Sequence, residues 1–159
     1  MNSVVQPLFD GPIDIVGDVH GEIDTLRNLM RLLGYDRIGA HPENRRLVFV
    51  GDLTDRGPDS PAVVDLVSNL VSSGRAQCVL GNHDLNILLK EHKHDNHWFY
   101  GEKWSLDGTN IFTLAVLANE QIRKKSINFF DSLPLVLERR SIHHRPAFEE
   151  TERHVRRER

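Results

Sequence analysis

Three short apolar runs, each closed by a glycine, constrain the fold of this chain most strongly. The runs occupy residues 13–16, 47–50 and 76–80, and a glycine follows each of them directly. Short apolar runs that end at a breaker are typical of buried strands. Because helical patterns separate the runs, we predict an α/β architecture in which helices flank a mostly parallel sheet.

The helical patterns follow the apolar runs in turn. They span residues 22–33, the stretch between Ser60 and Gly74, and residues 83–90. The first two carry apolar side chains at the three- and four-residue spacing of an amphipathic helix. We expect Ser60 to cap the second helix and Pro61 to occupy its first helical position.

The chain beyond residue 90 is less regular. Residues 91–108 are polar and aromatic and predict a long loop, a kind of segment that is often functional. Residues 109–130 have a helical pattern in one or two pieces. Residues 133–137 resemble the start of a further strand, and Pro134 places it at a sheet edge or at the strand's beginning.

Charge divides the chain into two parts. Residues 138–159 contain seven arginines and five glutamates, with few apolar side chains between them. Such a segment cannot bury a core of its own. We therefore predict a domain over residues 1–137 and a charged tail over residues 138–159, either disordered or loosely helical.

Composition narrows the function classes. The 159 residues suit one domain, and a net charge of −3 argues against nucleic acid as the main partner. The single cysteine, Cys78, excludes an internal disulfide framework and fits a reducing compartment. No apolar run approaches the ~18 residues of a membrane helix, and no signal-peptide pattern is visible. We expect a cytoplasmic protein that does not enter a membrane.

Side chains that bind metal ions follow each of the three glycines. The segments are GDVHG from residue 17, GDLTDRG from residue 51 and GNHD from residue 81. The carboxyl ends of parallel strands share one sheet edge, where ligands gather. We therefore expect five side chains to converge there: Asp18, His20, Asp52, Asn82 and His83.

The chemistry of this set indicates phosphate ester cleavage. A set of oxygen and imidazole ligands without a thiolate is more typical of a site for Mn, Fe, Zn or similar ions than of a Cys-rich structural zinc site. Paired metal ions can hold the attacking and leaving oxygens of a displacement at phosphorus. The planar guanidinium of Arg56 is suited to pairing with phosphate oxygens.

The three segments resemble the amino-terminal signatures of the calcineurin-like metallophosphoesterases. Within that family they are similar to the phosphoprotein phosphatases and their bacterial relatives, which include diadenosine tetraphosphatases. The resemblance covers roughly residues 11–137. It implies the amino-terminal half of an α/β/β/α sandwich and a hydrolase with two divalent metal ions, manganese first, with Fe, Zn or Ni as alternatives.

The resemblance also assigns the metal ligands by motif position. Asp18 and His20 would bind the first ion, Asp52 would bridge both ions, and Asn82 would bind the second.

It assigns the catalytic side chains in the same way. His83 would be the general acid that protonates the leaving oxygen, and Asp55 would orient the imidazole of His83. Arg56 would hold the substrate phosphate. A metal-bound water would be the nucleophile.

Two departures from the family pattern stand out. The third segment ends in Asp84, where phosphoprotein phosphatases more often have Glu and bacterial relatives also use Asp. The family continues with two further histidine ligands and a second phosphate-binding arginine, whereas no Gly-His pair follows residue 137 here. His143 or His144 lies near the spacing of the first missing ligand. We interpret the chain as the amino-terminal part of a phosphatase followed by a different segment.

Two functions follow from these observations. The first is a metallophosphoesterase that hydrolyses phosphate monoesters, phosphoprotein or nucleotide polyphosphates, so its partner is a phosphorylated protein or a small phosphate ester. The second is a metal- or phosphate-binding remnant with impaired catalysis. The oligomeric state is not predicted.

Simpler interpretations stay open for individual residues. Asp and Asn at strand ends also serve as turn and capping residues, and Asp55 with Arg56 could form a surface ion pair of little energetic value. Asp14 lies inside a strand pattern and is expected to be structural. The histidines of residues 91–97 could form an accessory metal site or a solvated loop. The aromatic side chains of residues 98–104 could stack on a base or pack the loop onto the domain.

Overall fold

The computed structural model describes residues 4–93, 96–101 and 115–139 of the chain. In chain order the elements are β1 Val5–Pro7, β2 Ile13–Val16, α1 Ile23–Leu32, β3 Arg46–Phe49, α2 Ser60–Ser72, β4 Ala76–Cys78, α3 Asn82–Leu88, α4 His97–Tyr100, α5 Glu120–Ser132 and β5 Val136–Glu138.

The central sheet has the predicted parallel arrangement. Its order is β2-β3-β4, with Ile13 paired to Arg46 and Leu47 paired to Ala76. Because every strand has the same direction, its three carboxyl ends lie along one edge. The mixed α/β architecture with a parallel sheet and flanking helices is therefore confirmed.

A second, two-stranded sheet joins the two ends of the described chain. β1 pairs with β5 in parallel, with Val5 opposite Val136. The amide of Gln77 connects the two sheets, since it accepts from the Phe9 backbone N–H at 2.9 Å and donates to the Pro7 carbonyl at 2.8 Å. The strand expected over residues 133–137 begins only at Val136, after Pro134. Strand β1 has no counterpart among the predicted elements.

The helices bury their apolar stripes against the central sheet. Val63 and Val67 of α2 are fully buried, as are Leu47 and Phe49 of β3. Each such side chain stabilises the fold by ~1.5–3 kcal/mol relative to exposure. This packing holds the strand ends, and with them the loops that carry the polar motifs.

The amino-terminal cap of α2 differs from the prediction. Asp59, not Ser60, is the capping residue, and its carboxylate accepts from the Ala62 backbone N–H at 2.9 Å. Ser60 lies one residue further along, and its hydroxyl accepts from the backbone N–H of Asp55 at 2.9 Å. Both residue types are good caps, and the preceding loop decides which of them serves.

The later segments agree in part with the predictions. The helical pattern of residues 109–130 is realised as α5, capped by Asn119, while residues 115–119 are not helical and residues 109–114 lie outside the described part. A short helix, α4, interrupts the loop expected over residues 91–108. Of the predicted tail, only residues 138 and 139 are described, so His143 and His144 lie outside the described residues.

None of the helices in the described ranges is long and apolar enough to cross a bilayer.

Candidate active site

Backbone hydrogen bonds fasten the loop after β2 to the loop after β3. The N–H groups of Val19 and His20 both donate to the Asp52 carbonyl at 3.0 Å, and the N–H of Gly21 donates to the Leu53 carbonyl at 2.9 Å. The N–H of Gly57 donates back to the His20 carbonyl at 2.8 Å. The two loops therefore form one structural unit, and the backbone positions from which the motif side chains extend are fixed.

The loop after β4 approaches this unit so closely that it requires glycine. A Cβ on Gly81 would lie 2.0 Å from the backbone nitrogen of Asp52, far inside any allowed contact. The space that a side chain would need at Gly81 is taken by the neighbouring loop, and this contact brings the third motif against the second.

Four motif residues other than glycine adopt left-handed backbone conformations. The φ angles are +47° for His20, +49° for Asp52, +74° for Asp55 and +63° for Arg56. Such conformations cost of order 1–3 kcal/mol each and persist only where surrounding contacts impose them. Here the hydrogen bonds between the loops supply those contacts. The strained backbone lowers local stability, and it places the motif side chains at the edge of the sheet.

Three side chains at this edge of the sheet have the spacing of a metal site. His20, Asp52 and His83 each offer a ligand atom, and these atoms lie within 4.8 Å of one another. The Nδ1–H of His20 donates to the Thr54 carbonyl at 3.0 Å, which leaves its Nε2 lone pair directed away from the backbone. A carboxylate oxygen of Asp52 accepts from the His83 backbone N–H at 2.9 Å.

The other two predicted ligands flank this group and are exposed. A carboxylate oxygen of Asp18 lies 3.7 Å from Nε2 of His20. The side-chain amide of Asn82, with its nitrogen toward Asp52, donates to the carboxylate at 3.1 Å. All five side chains that the sequence expected to converge therefore lie at one end of the sheet.

A buried pair stands beside these ligands. The Nδ1–H of His83 donates to the Asp55 carboxylate at 2.8 Å, and the two side chains are 5% and 0% exposed. Since Asp55 is fully buried, the alternative in which it forms a surface ion pair with Arg56 is wrong. Burial of the imidazole holds the pKa of His83 below its ordinary value.

The guanidinium of Arg56 faces both imidazoles. One of its Nη atoms donates to Nε2 of His20 at 3.1 Å and the other donates to Nε2 of His83 at 3.4 Å. Two imidazole lone pairs thus converge on a positive charge, close to the Asp52 carboxylate. The donor set present at this edge of the sheet fits a divalent cation.

Asp84 and Thr54 support the site as well, although no role was predicted for either. The Asp84 carboxylate is fully buried and accepts from the Leu53 N–H at 3.2 Å and from the Thr54 hydroxyl at 3.0 Å. Burial raises the pKa of Asp84 to about 6. Because the carbonyl of Thr54 orients His20, Asp84 supports that imidazole through the loop. Both residues belong to the quoted motifs, so their positions were the available signal.

The aromatic segment divides between packing and stacking. Trp98 and Phe99 are buried in the core, which agrees with the packing alternative. The ring of Tyr100 stacks on the imidazole of His92 with centroids 3.6 Å apart. Trp104, together with His94 and Asp95 of the possible accessory metal site, lies outside the described residues.

Asp14 and Cys78 lie within strands of the central sheet. Asp14 is structural, as expected, since it pairs with Arg45 and accepts from the Tyr35 hydroxyl at 2.7 Å. Cys78 is buried in β4, and burial raises the pKa of its thiol well above the ordinary value. A thiol in this state is unreactive.

Comparison with known proteins gives a consistent result. The profile of the calcineurin-like phosphoesterase family matches residues 11–153. The asymmetrical bis(5'-nucleosyl)-tetraphosphatase PrpE of Oceanobacillus iheyensis is 39% identical over 139 residues, which cover 82% of this chain and 52% of the relative. The protein of the same name from Halalkalibacterium halodurans is 53% identical over 73 residues, covering 44% of this chain and 30% of the relative.

A solved structure described as a diadenosine tetraphosphatase is 42% identical, covers 55% of this chain and 36% of its own, and has a TM-score of 0.43. The chain spans about half the length of the curated relatives that it matches over most of its own length. With most of its residues matched by the family profile, this chain belongs to the calcineurin-like phosphoesterase family.

Proposed function

We propose that this chain carries the amino-terminal part of a two-metal phosphoesterase site that acts on nucleotide polyphosphates. The observation that carries the proposal is the convergence of His20, Asp52 and His83 within 4.8 Å, beside the exposed guanidinium of Arg56. The names of the relatives favour a bis(nucleosyl) tetraphosphate over a phosphoprotein as the substrate. The lone buried cysteine suits a cytoplasmic location.

The ligand assignment follows the site geometry and the motif positions. Asp18, His20 and Asp52 would hold one divalent ion, and Asp52 with Asn82 would hold a second, with manganese the first candidate. Such ions, when bound, polarise a phosphoryl oxygen and lower the pKa of water to give a nucleophile.

The chain's own side chains supply positioning and proton transfer. Arg56 presents two Nη groups, which can pair with two oxygens of a phosphate. His83 acts from its Nε2 atom, since its Nδ1–H is bound to Asp55. A proton carried on Nε2 passes to the leaving oxygen, and the Asp55 carboxylate stabilises the imidazolium that exists before that transfer.

A second function, that of a metal- or phosphate-binding remnant with impaired turnover, is favoured by one observation. The chain covers 52% of its relative from Oceanobacillus iheyensis, and no Gly-His pair follows residue 137. Even changes to groups that orient metal ligands cost about 10–100-fold in metal affinity or activity, so turnover depends strongly on the full set of ligands.

Hydrolysis by the purified chain separates these functions. Diadenosine tetraphosphate, p-nitrophenyl phosphate and a phosphoserine peptide are each assayed with and without Mn²⁺, and bound metal is counted by elemental analysis. The first function predicts two ions per chain and manganese-dependent turnover, fastest on the dinucleotide and lost in Asp52→Asn. One ion or none, without turnover from folded protein, would establish the remnant. Turnover that survives Asp52→Asn would refute the site assignment.

A further inference from the structure

Trp98 is a buried aromatic residue whose one polar side-chain atom contacts the site. The residue is 2% exposed, and its indole N–H donates to a carboxylate oxygen of Asp55 at 2.8 Å. It belongs to α4, 43 residues along the chain from Asp55 and outside the three motif segments. The contact therefore links a segment without a motif to the carboxylate that binds His83.

The two oxygens of Asp55 have different donors. Oδ1 accepts from the indole of Trp98, and Oδ2 accepts from Nδ1–H of His83, each at 2.8 Å. The backbone N–H of Asp55 is held by the hydroxyl of Ser60. A carboxylate with one donor can rotate about its Cβ–Cγ bond, whereas donors on both oxygens fix the plane of the group.

We infer that Trp98 is a positioning residue for His83: its indole N–H holds the Asp55 carboxylate in the plane that keeps the proton of His83 on Nδ1 and directs Nε2 into the site. The inference deepens the proposed function and rests on it for its catalytic meaning. The geometry itself belongs to the chain in any state of activity.

A packing role for Trp98 makes a different demand. The Trp98 carbonyl accepts from the Ala118 N–H at 2.8 Å, and its ring packs edge to face on Phe99 at 5.5 Å. These contacts need the backbone and the volume of the ring, but they do not need the indole N–H. Removal of that donor at constant ring shape therefore distinguishes positioning from packing.

The test uses the full chain with two changes at position 98. Trp98→Phe removes the donor and part of the ring. A benzothienylalanine introduced at position 98 replaces the N–H by sulfur and keeps the bicyclic shape. Phe130→Leu is the matched control, because Phe130 is fully buried in α5 and offers no hydrogen bond to Asp55.

Nitrogen-15 NMR of the histidine rings at one fixed pH reports the result, with the His83 signals assigned by their loss in His83→Asn. We expect a single Nδ1–H tautomer in the unaltered chain and in Phe130→Leu. Both changes at position 98 should give a mixture of tautomers and faster exchange of the Nδ1 proton. Unchanged His83 signals in folded protein carrying benzothienylalanine would overturn the inference.

Turnover of diadenosine tetraphosphate with Mn²⁺ gives an independent measurement. Loss of the donor should lower kcat by about 10–100-fold and change KM by less than about twofold, the size expected when a group that orients a catalytic side chain is removed. Equal kcat in the isostere and the unaltered chain would contradict the inference. Absence of turnover in the unaltered chain would count against the proposed function alone, because the NMR result still decides the role of Trp98.

Discussion

Both ends of the central sheet contain carboxylates close to an arginine, but the two ends differ in which groups donate hydrogen bonds to those carboxylates. At the amino end, Asp14 accepts from Arg45 Nε at 2.8 Å, from a second Arg45 nitrogen and from the Tyr35 hydroxyl. The guanidinium hydrogen bond outweighs partial burial and lowers the pKa of Asp14 to about 2. The carboxylate is saturated by donors of its own fold, and this end stabilises the protein.

At the carboxyl end the carboxylates are held by uncharged donors. Asp52 accepts from the backbone N–H of His83, and Asp55 accepts from an imidazole and an indole. The nearby guanidinium of Arg56 is exposed and contacts the imidazole Nε2 atoms. The same residue types therefore serve different purposes at the two ends: the guanidinium of Arg45 is paired with a carboxylate, whereas that of Arg56 is exposed and faces two imidazoles.

The largest expected effect tests whether loop contact creates the carboxyl-end site. Gly81→Ala places a Cβ against the Asp52 backbone, so one of the two loops must move to make room for it. We expect a loss of more than about 3 kcal/mol in the free energy of unfolding, together with loss of metal binding. Urea unfolding and metal titration measure the two effects. Gly17→Ala is the matched control, since nothing lies within 4 Å of its Cβ, and it should cost under about 1 kcal/mol. Equal costs for the two variants would contradict the predicted contact.

The second prediction concerns the two imidazoles at the carboxyl end of the sheet and tests whether His20 or His83 binds the metal ion. His83→Asn should lower turnover by about 10²–10⁴-fold while metal affinity changes little, because a general acid is removed and the ligands stay. Kinetics and metal titration on the same preparation check this. His20→Asn is the comparison variant and should weaken metal binding directly. If the two variants lose metal affinity equally, His83 is a ligand and not the acid.

The third prediction concerns Asp14 at the amino end of the sheet, whose contribution to the free energy of unfolding depends on pH. Asp14 has a lowered pKa when folded, so its contribution to stability is present above the unfolded value of about 3.9 and is lost as pH falls toward 2. We expect Asp14→Asn to cost about 1–2 kcal/mol at pH 7, because the pair is open to solvent on one side. Urea unfolding between pH 7 and pH 2.5 should show the difference from the unaltered chain shrinking below pH 4. A difference that is independent of pH would show that the pair stabilises nothing through charge.

The smallest expected effect concerns the hydrogen bond from Tyr35 to Asp14 at the same end of the sheet. Tyr35→Phe removes one donor from Asp14 and leaves the Arg45 pair in place. We expect a cost of about 0.5–1.5 kcal/mol in the free energy of unfolding, the net value of one hydrogen bond. A double-mutant cycle with Asp14→Asn measures the coupling. Strict additivity of the two changes would mean that the hydroxyl and the carboxylate do not interact.

Local pattern was sufficient for the central part of the fold. The apolar runs and helical stripes predicted β2, β3, β4 and the first three helices to within a few residues. The convergence of the motif side chains followed as well, because parallel strands necessarily end at one edge. Neither inference needed knowledge of a specific contact between side chains.

The remaining features depend on individual contacts, most of them between residues far apart in the chain. Strand β1 pairs with β5 across the whole domain, and Trp98 contacts Asp55, 43 positions earlier in the chain. Ser60 and Asp59 have the same capping chemistry, and the choice between them arises because the Asp55 N–H requires an acceptor. Periodicity encodes which face of an element is buried, since that depends on nearby residues alone. Which donor meets which carboxylate depends on how the elements pack, because a hydrogen bond needs angstrom-level placement that residue spacing does not specify.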